Sequence, residues 1–406
     1  MLLLKLAFRN IFRQRRRSLL TALSMTGGYV LCAVAVSMTD GTFKSAIEIF
    51  TLDHTGHVQI HQGNYLQRPK IYKTIDLASQ IVKSLDQSPL VDSYTLRVFA
   101  PALAYSDHGN TSAQVIGVDL DREKVTSRLA KKVTSGAYID QTVDREGRYS
   151  AMIGAGIAEV LSLQPHDEII LISQAADGSV ANDIFSVGAI IGSKDSIDKL
   201  KVFLPLSASQ EFLSLEDKVH EVSLLIRDDD RSQEIAKALQ QLLPDLTVSP
   251  WQVIEASFYQ SMQTKLRGNR FTLGIILFIV FIGVLNTVLM SVLERNREFG
   301  VLKAIGSKPA AITGMITLEI SLLALMSVTL GLIIALPIIS WLATVGIEYP
   351  EPVEFGGIVL KAVKGEISIH VFLIPMMAIL ISSIAVSIPP GLRAARISPT
   401  EAMRSH

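Results

Sequence analysis

Residues 271–293 read FTLGIILFIVFIGVLNTVLMSVL, an uncharged run whose most polar member is Asn286. About 20 apolar residues, rising about 1.5 Å each, cover a hydrocarbon core of about 30 Å, so this stretch predicts a membrane-spanning helix. Three other segments have the same character. Leu19–Met38 carries no charge, Ile320–Leu342 has Pro337 near one end, and Ile369–Ile388 ends against Pro389 and Pro390. One segment stands alone near the start and three crowd into 271–389, with the mostly polar residues 39–270 between them. The predicted fold class is therefore membrane α-helical, with four transmembrane helices in a 1+3 arrangement plus a large α+β extracytoplasmic domain.

Composition agrees with a chain divided between lipid and water: 49% of residues are hydrophobic, yet 19% are charged. The formal net charge is +0, so no global field points to nucleic acid. The single cysteine, Cys32, lies in the first apolar segment, which leaves the 39–270 domain without a disulfide or a cysteine metal site. That domain is large enough to bury a core unaided. Cations before Leu19 and the run Ala33-Val34-Ala35 imitate a secretory signal. The apolar run exceeds the roughly 7–15 residues of a signal core and continues past that site, so a retained helix is expected.

The basic residues set an orientation. Lys5, Arg9, Arg13, Arg15, Arg16 and Arg17 precede the first span without an acid among them. Arg295, Arg297, Lys303 and Lys308 lie between spans two and three, and Arg393, Arg396 and Arg404 follow span four. The loop between spans three and four instead carries Glu348, Glu351, Glu354 and Glu366 against Lys361 and Lys364. The positive-inside rule then places both termini and the 294–311 loop in the cytoplasm of an inner-membrane protein. The expected divisions are a basic segment at 1–18, spans at 19–38, 271–293, 312–345 and 368–389, the outer domain at 39–270, an outer loop at 346–367 and a cytoplasmic tail at 390–406. Arg13, Arg16, Arg17, Arg393 and Arg396 are expected at lipid headgroups or bracing a cytoplasmic partner.

Within 39–270 the pattern is mixed. Gly56–His61 alternates like a strand and Leu77–Leu85 reads as a helix; Ser93–Tyr105 and Gln114–Val118 flank the turn cluster Asp107–Asn110. Helical periodicity returns at Ile157–Leu163. Strands are expected at Glu168–Ser173, Asp183–Ile191, Lys201–Leu204 and Glu221–Ile226, and a helix at Ser232–Leu243 before Pro244. Two α+β lobes dividing near 145–150 are expected. Phe43, Ile47 and Phe50 follow span one at helical spacing, and Trp251, Ile254, Phe258 and Met262 do the same before span two. These read as helical extensions of the spans that pack into a stalk. His54, His57 and His61 follow no ligand spacing and are expected to be surface or structural residues, so no metal site is assigned. Gly188–Lys194 (GAIIGSK) lacks the phosphate-loop spacing, and no serine–histidine–acid arrangement stands out.

Leu293–Glu319 (LERNREFGVLKAIGSKPAAITGMITLE) is the most specific local feature. It reads as a charged helix carrying Glu294, Arg295, Arg297 and Glu298, broken at Gly300 or Gly306. Such a loop can sit on a cytoplasmic partner or merely set topology, and physics alone leaves both open. Glu319 reads as an interfacial or helix-pairing residue, since no ionisable residue of another span offers it a proton-relay partner.

The run Arg297–Gly306 resembles the R-E-(I/F)-G-x-(L/M)-(R/K)-A-(I/L)-G element of MacB/FtsX-type ABC permeases. Leu6–Thr21 (LAFRNIFRQRRRSLLT) and Pro390–Arg404 (PGLRAARISPTEAMR) are similar to that family's opening and closing motifs. The layout is most similar to the LolC/LolE-like lipoprotein-release permeases and to MacB-like subunits without a fused ATPase. The resemblance implies a non-catalytic permease subunit that transmits ATP-driven motion to its outer domain. It implies two copies of an ABC ATPase binding ATP and Mg, and a second permease chain forming a homo- or heterodimer. A periplasmic lipoprotein carrier or adaptor and membrane lipid are further implied partners, and this chain itself binds no cofactor. The lack of a Walker A sequence likewise puts hydrolysis on a separate polypeptide. Glu294, Arg297, Glu298, Gly300, Lys303 and Gly306 are the residues implied to face the ATPase, with Glu298 and Lys303 in charge-assisted contacts and the glycines in tight turns. The implied cargo is a lipoprotein, a lipid or another amphiphile. An FtsX-like activator of a cell-wall hydrolase, or a membrane sensor without an ATPase, are the alternatives.

Overall fold

The computed structural model describes residues 9, 11, 15–76, 81–355 and 358–396. Five helices frame the membrane part: α1 (Arg15–Phe50), α2 (Ala256–Glu294), α3 (Asn296–Ala304), α4 (Pro309–Thr344) and α5 (Ile369–Arg396). All but α3 are long and apolar enough to cross a membrane. The described residues divide into two compact units. One holds the membrane helices through Ser45, Met262–Pro352 and the chain from Lys361; the other holds Ala46–Ser261 with Val353–Leu360.

The helices overrun the expected spans. At 36 and 39 residues, α1 and α2 are each roughly 55 Å long, nearly twice the hydrocarbon thickness, so each has turns to spare beyond lipid. Helix α5 does not stop at Pro389 and Pro390, where an end was expected, but continues to Arg396. The two prolines free the carbonyls of Ala385 and Val386, one turn earlier, while residues of other helices hold the turns that follow. Thr313 Oγ1 donates to the Gly391 carbonyl at 3.2 Å, and Lys303 Nζ to the Ala395 carbonyl at 2.9 Å. Small and hydroxyl residues let these helices approach, as lipid-embedded packing requires. The Tyr29 ring of α1, 1% exposed, lies where a side chain on Gly331 of α4 would be. Thr26 Oγ1 donates to the Ser327 carbonyl at 3.0 Å, and the Tyr29 hydroxyl to the Phe372 carbonyl at 3.3 Å. Phe278 and Ile279 of α2 are 61% and 64% exposed in the isolated chain, as lipid-facing residues would be. The 346–367 segment, expected as a loop, is a hairpin of Ile347–Phe355 and Ile358–Val363.

In the other unit, β1 (Val58–His61), β2 (Ile75–Asp76), β3 (Val91–Ser106), β4 (Gly109–Val118), β5 (Val133–Gly136) and β6 (Ser150–Gly154) precede β7 (Glu168–Gln174) and β8 (Val180–Ile191). Strands β9 (Lys201–Pro205), β10 (Lys218–Val219), β11 (Glu221–Ile226) and β12 (Thr247–Pro250) complete it. Ten of these form one sheet in the order β12-β1-β11-β3-β4-β9-β6-β8-β5, with β7 paired to both β3 and β8; β2 and β10 form a separate ribbon. The chain does not divide into lobes at 145–150. The apolar stretch 150–154, unrecognised in the sequence, becomes β6, which pairs parallel with β8 and antiparallel with β9, so the sheet runs through that point. Strands β3 and β4 form the expected hairpin over a two-residue turn, Asp107-His108, with Ser106 opposite Gly109. The helix expected at Leu77–Leu85 is described from Ile81 to Asp86; residues 77–80 lie outside the described residues. All four residues of β1 are buried between β11 and β12.

Candidate functional site

Helix α3 occupies the turn between two spanning helices. The chain leaves α2 at Glu294, turns at Arg295, and runs helically through Gly300, which is buried inside α3 and breaks nothing. The break falls at Gly306, where φ is +95°, a conformation that a β-carbon resists. Pro309 then opens α4, its missing N–H costing nothing in a first turn.

Arg295 fastens this turn. Its Nη1 lies 2.9 Å from Glu319 Oε2 on α4, its Nε donates to Glu298 Oε2 at 3.0 Å, and its guanidinium stands 5.2 Å from the buried Phe299 ring. Burial disfavours the Arg295 charge, but Glu319 and Glu298 outweigh it and raise the pKa above its ordinary value. At the far end of α3, Lys303 donates to the Ala395 carbonyl of α5, one of the last-turn carbonyls a helix leaves open. The short helix is thus tied to α4 at its start and to α5 at its finish.

The candidate residues sort themselves accordingly. Glu294, Arg297 and Gly306 are exposed; Glu298 and Lys303 are part-exposed and hold the intrachain partners just named. Arg393 and Arg396 are exposed in the last turn of α5, where cations complement the helix dipole. Arg16 is exposed on α1, Arg17 lies in the same helix, and Arg13 lies outside the described residues. Glu319 pairs helices through Arg295. That arginine was not singled out from the sequence, although an acid at span depth asks for a cation at the end of a neighbouring helix.

The stalk residues divide between the two units. Phe50 stacks on Phe258 with ring centroids 4.8 Å apart, and Trp251 lies 6.2 Å from Phe258. Phe43 and Met262 are buried, whereas Ile47 and Ile254 are half-buried. The extension before span two is not one helix: Trp251–Ile254 forms a separate turn and the backbone bends at Glu255 before α2 begins. After α1 the chain makes a wider turn over Thr51–Thr55 and enters β1.

A buried ionic cluster in the β-rich unit was also missed. Arg97 binds Glu123 through Nη2 and Oε1 at 2.8 Å, Glu221 through Nη1 and Oε1 at 3.3 Å, and the carbonyl of His54. Asp198 holds Lys132 at 2.6 Å and Lys201 at 2.8 Å. Burial pushes the Asp198 carboxyl up, but Lys201 and Lys132 overcome it and hold it well below the usual range. Glu123 is likewise raised by burial and pulled lower overall by Arg97. The signal was an arginine inside the apolar strand TLRVFA, which needs an acid partner. His57 and His61 are buried, with His57 Nδ1 accepting the Ile226 N–H at 3.2 Å.

Residues 18–242 match the profile of the MacB-like periplasmic core domain, and residues 270–399 that of the FtsX-like permease C-terminal domain. Over 95% of this chain and 94% of its own length, the lipoprotein-releasing system transmembrane protein LolE of Haemophilus influenzae is 21% identical. The corresponding LolC of Xylella fastidiosa is 26% identical over 72% of this chain and 73% of its own. The macrolide export ATP-binding/permease protein MacB 2 of Aeromonas hydrophila is 22% identical over 82% of this chain, a match covering 52% of that protein.

Proposed function

This chain belongs to the MacB/FtsX-type ABC transporter permeases, a multi-pass inner-membrane protein, and from that premise we propose that it carries ATP-driven motion from a separate ATPase to its β-rich domain. The termini and α3 face the cytoplasm in this reading, and the β-rich domain faces the periplasm. Two ATPase copies, each with ATP and Mg, bind a pair of permease chains at the exposed side of α3.

The observation that carries the reading is the anchoring of α3. A force on a free loop dissipates in backbone rotation. A force on α3 is delivered to α4 through Arg295 and Glu319, to α5 through Lys303, and to α2 through a single turn residue. Helix α2 then runs unbroken from Glu294 to Ala256 and carries Phe258, one half of the Phe50 stack. Glu298 and Lys303 support the helix from within, leaving Glu294 and Arg297 as the side chains best placed to meet the ATPase. The LolE and LolC relatives, named for lipoprotein release, support a lipoprotein or lipid-like amphiphile as cargo.

The test is Arg297→Glu in the full chain, co-purified with its native ATPase from membranes. Charge reversal at this exposed position breaks no hydrogen bond or ion pair among the described residues, so insertion and folding persist. ATPase retention falls at least about tenfold, the scale for a reversed charge at an interface. Retention equal to wild type would place the docking surface elsewhere.

A further inference from the structure

The β-rich unit contains a cavity of about 740 Å³, within the roughly 300–1,000 Å³ of small-ligand sites. One side is apolar, with Ile71, Phe99, Ile116 and Phe203 in its lining. The other carries polar atoms that the fold leaves unmet.

Gln59 is 4% exposed; its Nε2 donates to the Thr55 carbonyl at 2.8 Å, while its Oε1 has no partner among the described residues. His61 is 1% exposed and holds Nε2 3.3 Å from Glu221 Oε2. With Nε2 donating to that carboxylate, the neutral ring presents Nδ1 as an acceptor, and Nδ1 too has no partner among the described residues. Tyr65, stacked on the His61 ring at 5.3 Å, holds it in that orientation. Asp53 Oδ1 is a third buried, unpartnered polar atom on the lining. Buried polar atoms are ordinarily paired, and here every orphan on the lining is an acceptor.

The charges lean the same way. Arg97, Lys132 and Lys201 are three cations set against the four carboxylates of Asp53, Glu123, Asp198 and Glu221. Of these, Asp53, Glu123 and Glu221 lie on the lining, where Glu255 adds a fourth carboxylate, and burial holds its carboxyl above the usual range. Lys70 is the remaining lining cation and sits exposed at the rim.

We infer that this cavity binds a small amphiphile with a primary-amine head, whose N–H groups meet Gln59 Oε1 and His61 Nδ1, whose charge answers Asp53 and Glu255, and whose apolar body lies along Phe99 and Phe203. The site stands independently of the ATPase reading, because every residue in it belongs to the β-rich unit.

The probes are hexylammonium and hexyltrimethylammonium, which share charge and chain but differ in N–H donors. Saturation-transfer difference NMR is run on the full chain in nanodiscs at neutral pH, with empty nanodiscs subtracted. Hexylammonium gives signal above the blank and at least about tenfold more than its trimethyl analogue, as expected when a buried acceptor goes unpaired. Gln59→Met removes the orphan acceptor at similar size and lowers the hexylammonium signal at least about fivefold. Because Gln59 also supports Thr55, Leu66→Trp provides the second variant. Leu66 is 38% exposed on the lining and outside the polar cluster, so a larger ring there obstructs the cavity and abolishes the signal without touching the network. Equal signals from the two cations, a signal no larger than the blank, or an undiminished signal in Leu66→Trp would each overturn the assignment and leave a water-filled cavity.

Discussion

Replacing Phe258 by alanine tests whether the junction beside β1 and β12 is a packed joint or a loose connection. The Phe258 side chain is 3% exposed, stacks on Phe50 at 4.8 Å with 13° between planes, and approaches Trp251 at 6.2 Å. Truncating a buried Phe costs about 3–5 kcal/mol, and an aromatic pair adds about 0.5–1.5 kcal/mol beyond its area. The site lies at the edge of the unit and can partly collapse, so the lower end, about 3 kcal/mol, is the expected loss. At about 1.4 kcal/mol per tenfold, local opening becomes roughly 100-fold more frequent. The assay is native-state hydrogen exchange on the full chain in nanodiscs, read at amides 57–61 and 247–255. Phe258→Leu keeps most of the volume but loses the stack, and exchange there accelerates less than about tenfold. If Phe258→Ala leaves those amides unchanged while the rest of the sheet is intact, the stack bears no energy and the joint is not rigid.

Two further outcomes follow from named contacts. Gly331→Ala places a β-carbon 2.7 Å from Tyr29 Cδ1 and separates α1 from α4, costing about 1–3 kcal/mol; thermal unfolding in detergent should register the loss, and adding Tyr29→Ala should remove the further penalty of the glycine change. An unaffected single variant would mean the two helices are not in contact there. Asp198 and Glu123 both lie below their ordinary values in the fold. Depressed carboxylates contribute stability that is present above about pH 4 and lost as pH falls through the folded values, up to about 1.4 kcal/mol per unit and group. Burial also holds His54, His57 and His220 below the ordinary imidazole value, so stability already declines as pH falls below about 6.5. The melting temperature of the β-rich unit should therefore fall from pH 7 to 5 and fall further below pH 4, with Asp198→Asn flattening the acid part of the fall; a wild-type melt at pH 3 equal to that at pH 6 would contradict the assignment.

What the sequence made legible follows a physical division. Span existence and order are readable because lipid tolerates almost nothing but apolar helix, and the family matches at 18–242 and 270–399 agree with that layout. Span ends are not: α5 runs on through Pro389 and Pro390 to Arg396, and the contacts that hold its last turns, from Thr313 and Lys303, are remote in sequence. The β3–β4 hairpin shows in a local turn cluster, whereas β6 is a short apolar stretch identifiable only by its neighbours β8 and β9. The α3 residues were legible as a charged motif. Their roles were not: Glu298 and Lys303 turned inward to Arg295 and Ala395, and the clamp on Glu319 came from an arginine 24 positions away. Charges inside apolar strands, such as Arg97, announce that a partner exists without saying which.

The central claim is that nucleotide state below α3 reaches the β-rich domain. Its most direct test is hydrogen exchange on the permease–ATPase complex in nanodiscs, comparing nucleotide-free partner with one locked on ATP by a hydrolysis-dead substitution. The account predicts altered exchange at 294–306 accompanied by altered exchange at 47–60 and 250–260. A change confined to 294–306, with the stalk and β1 unmoved, would contradict it.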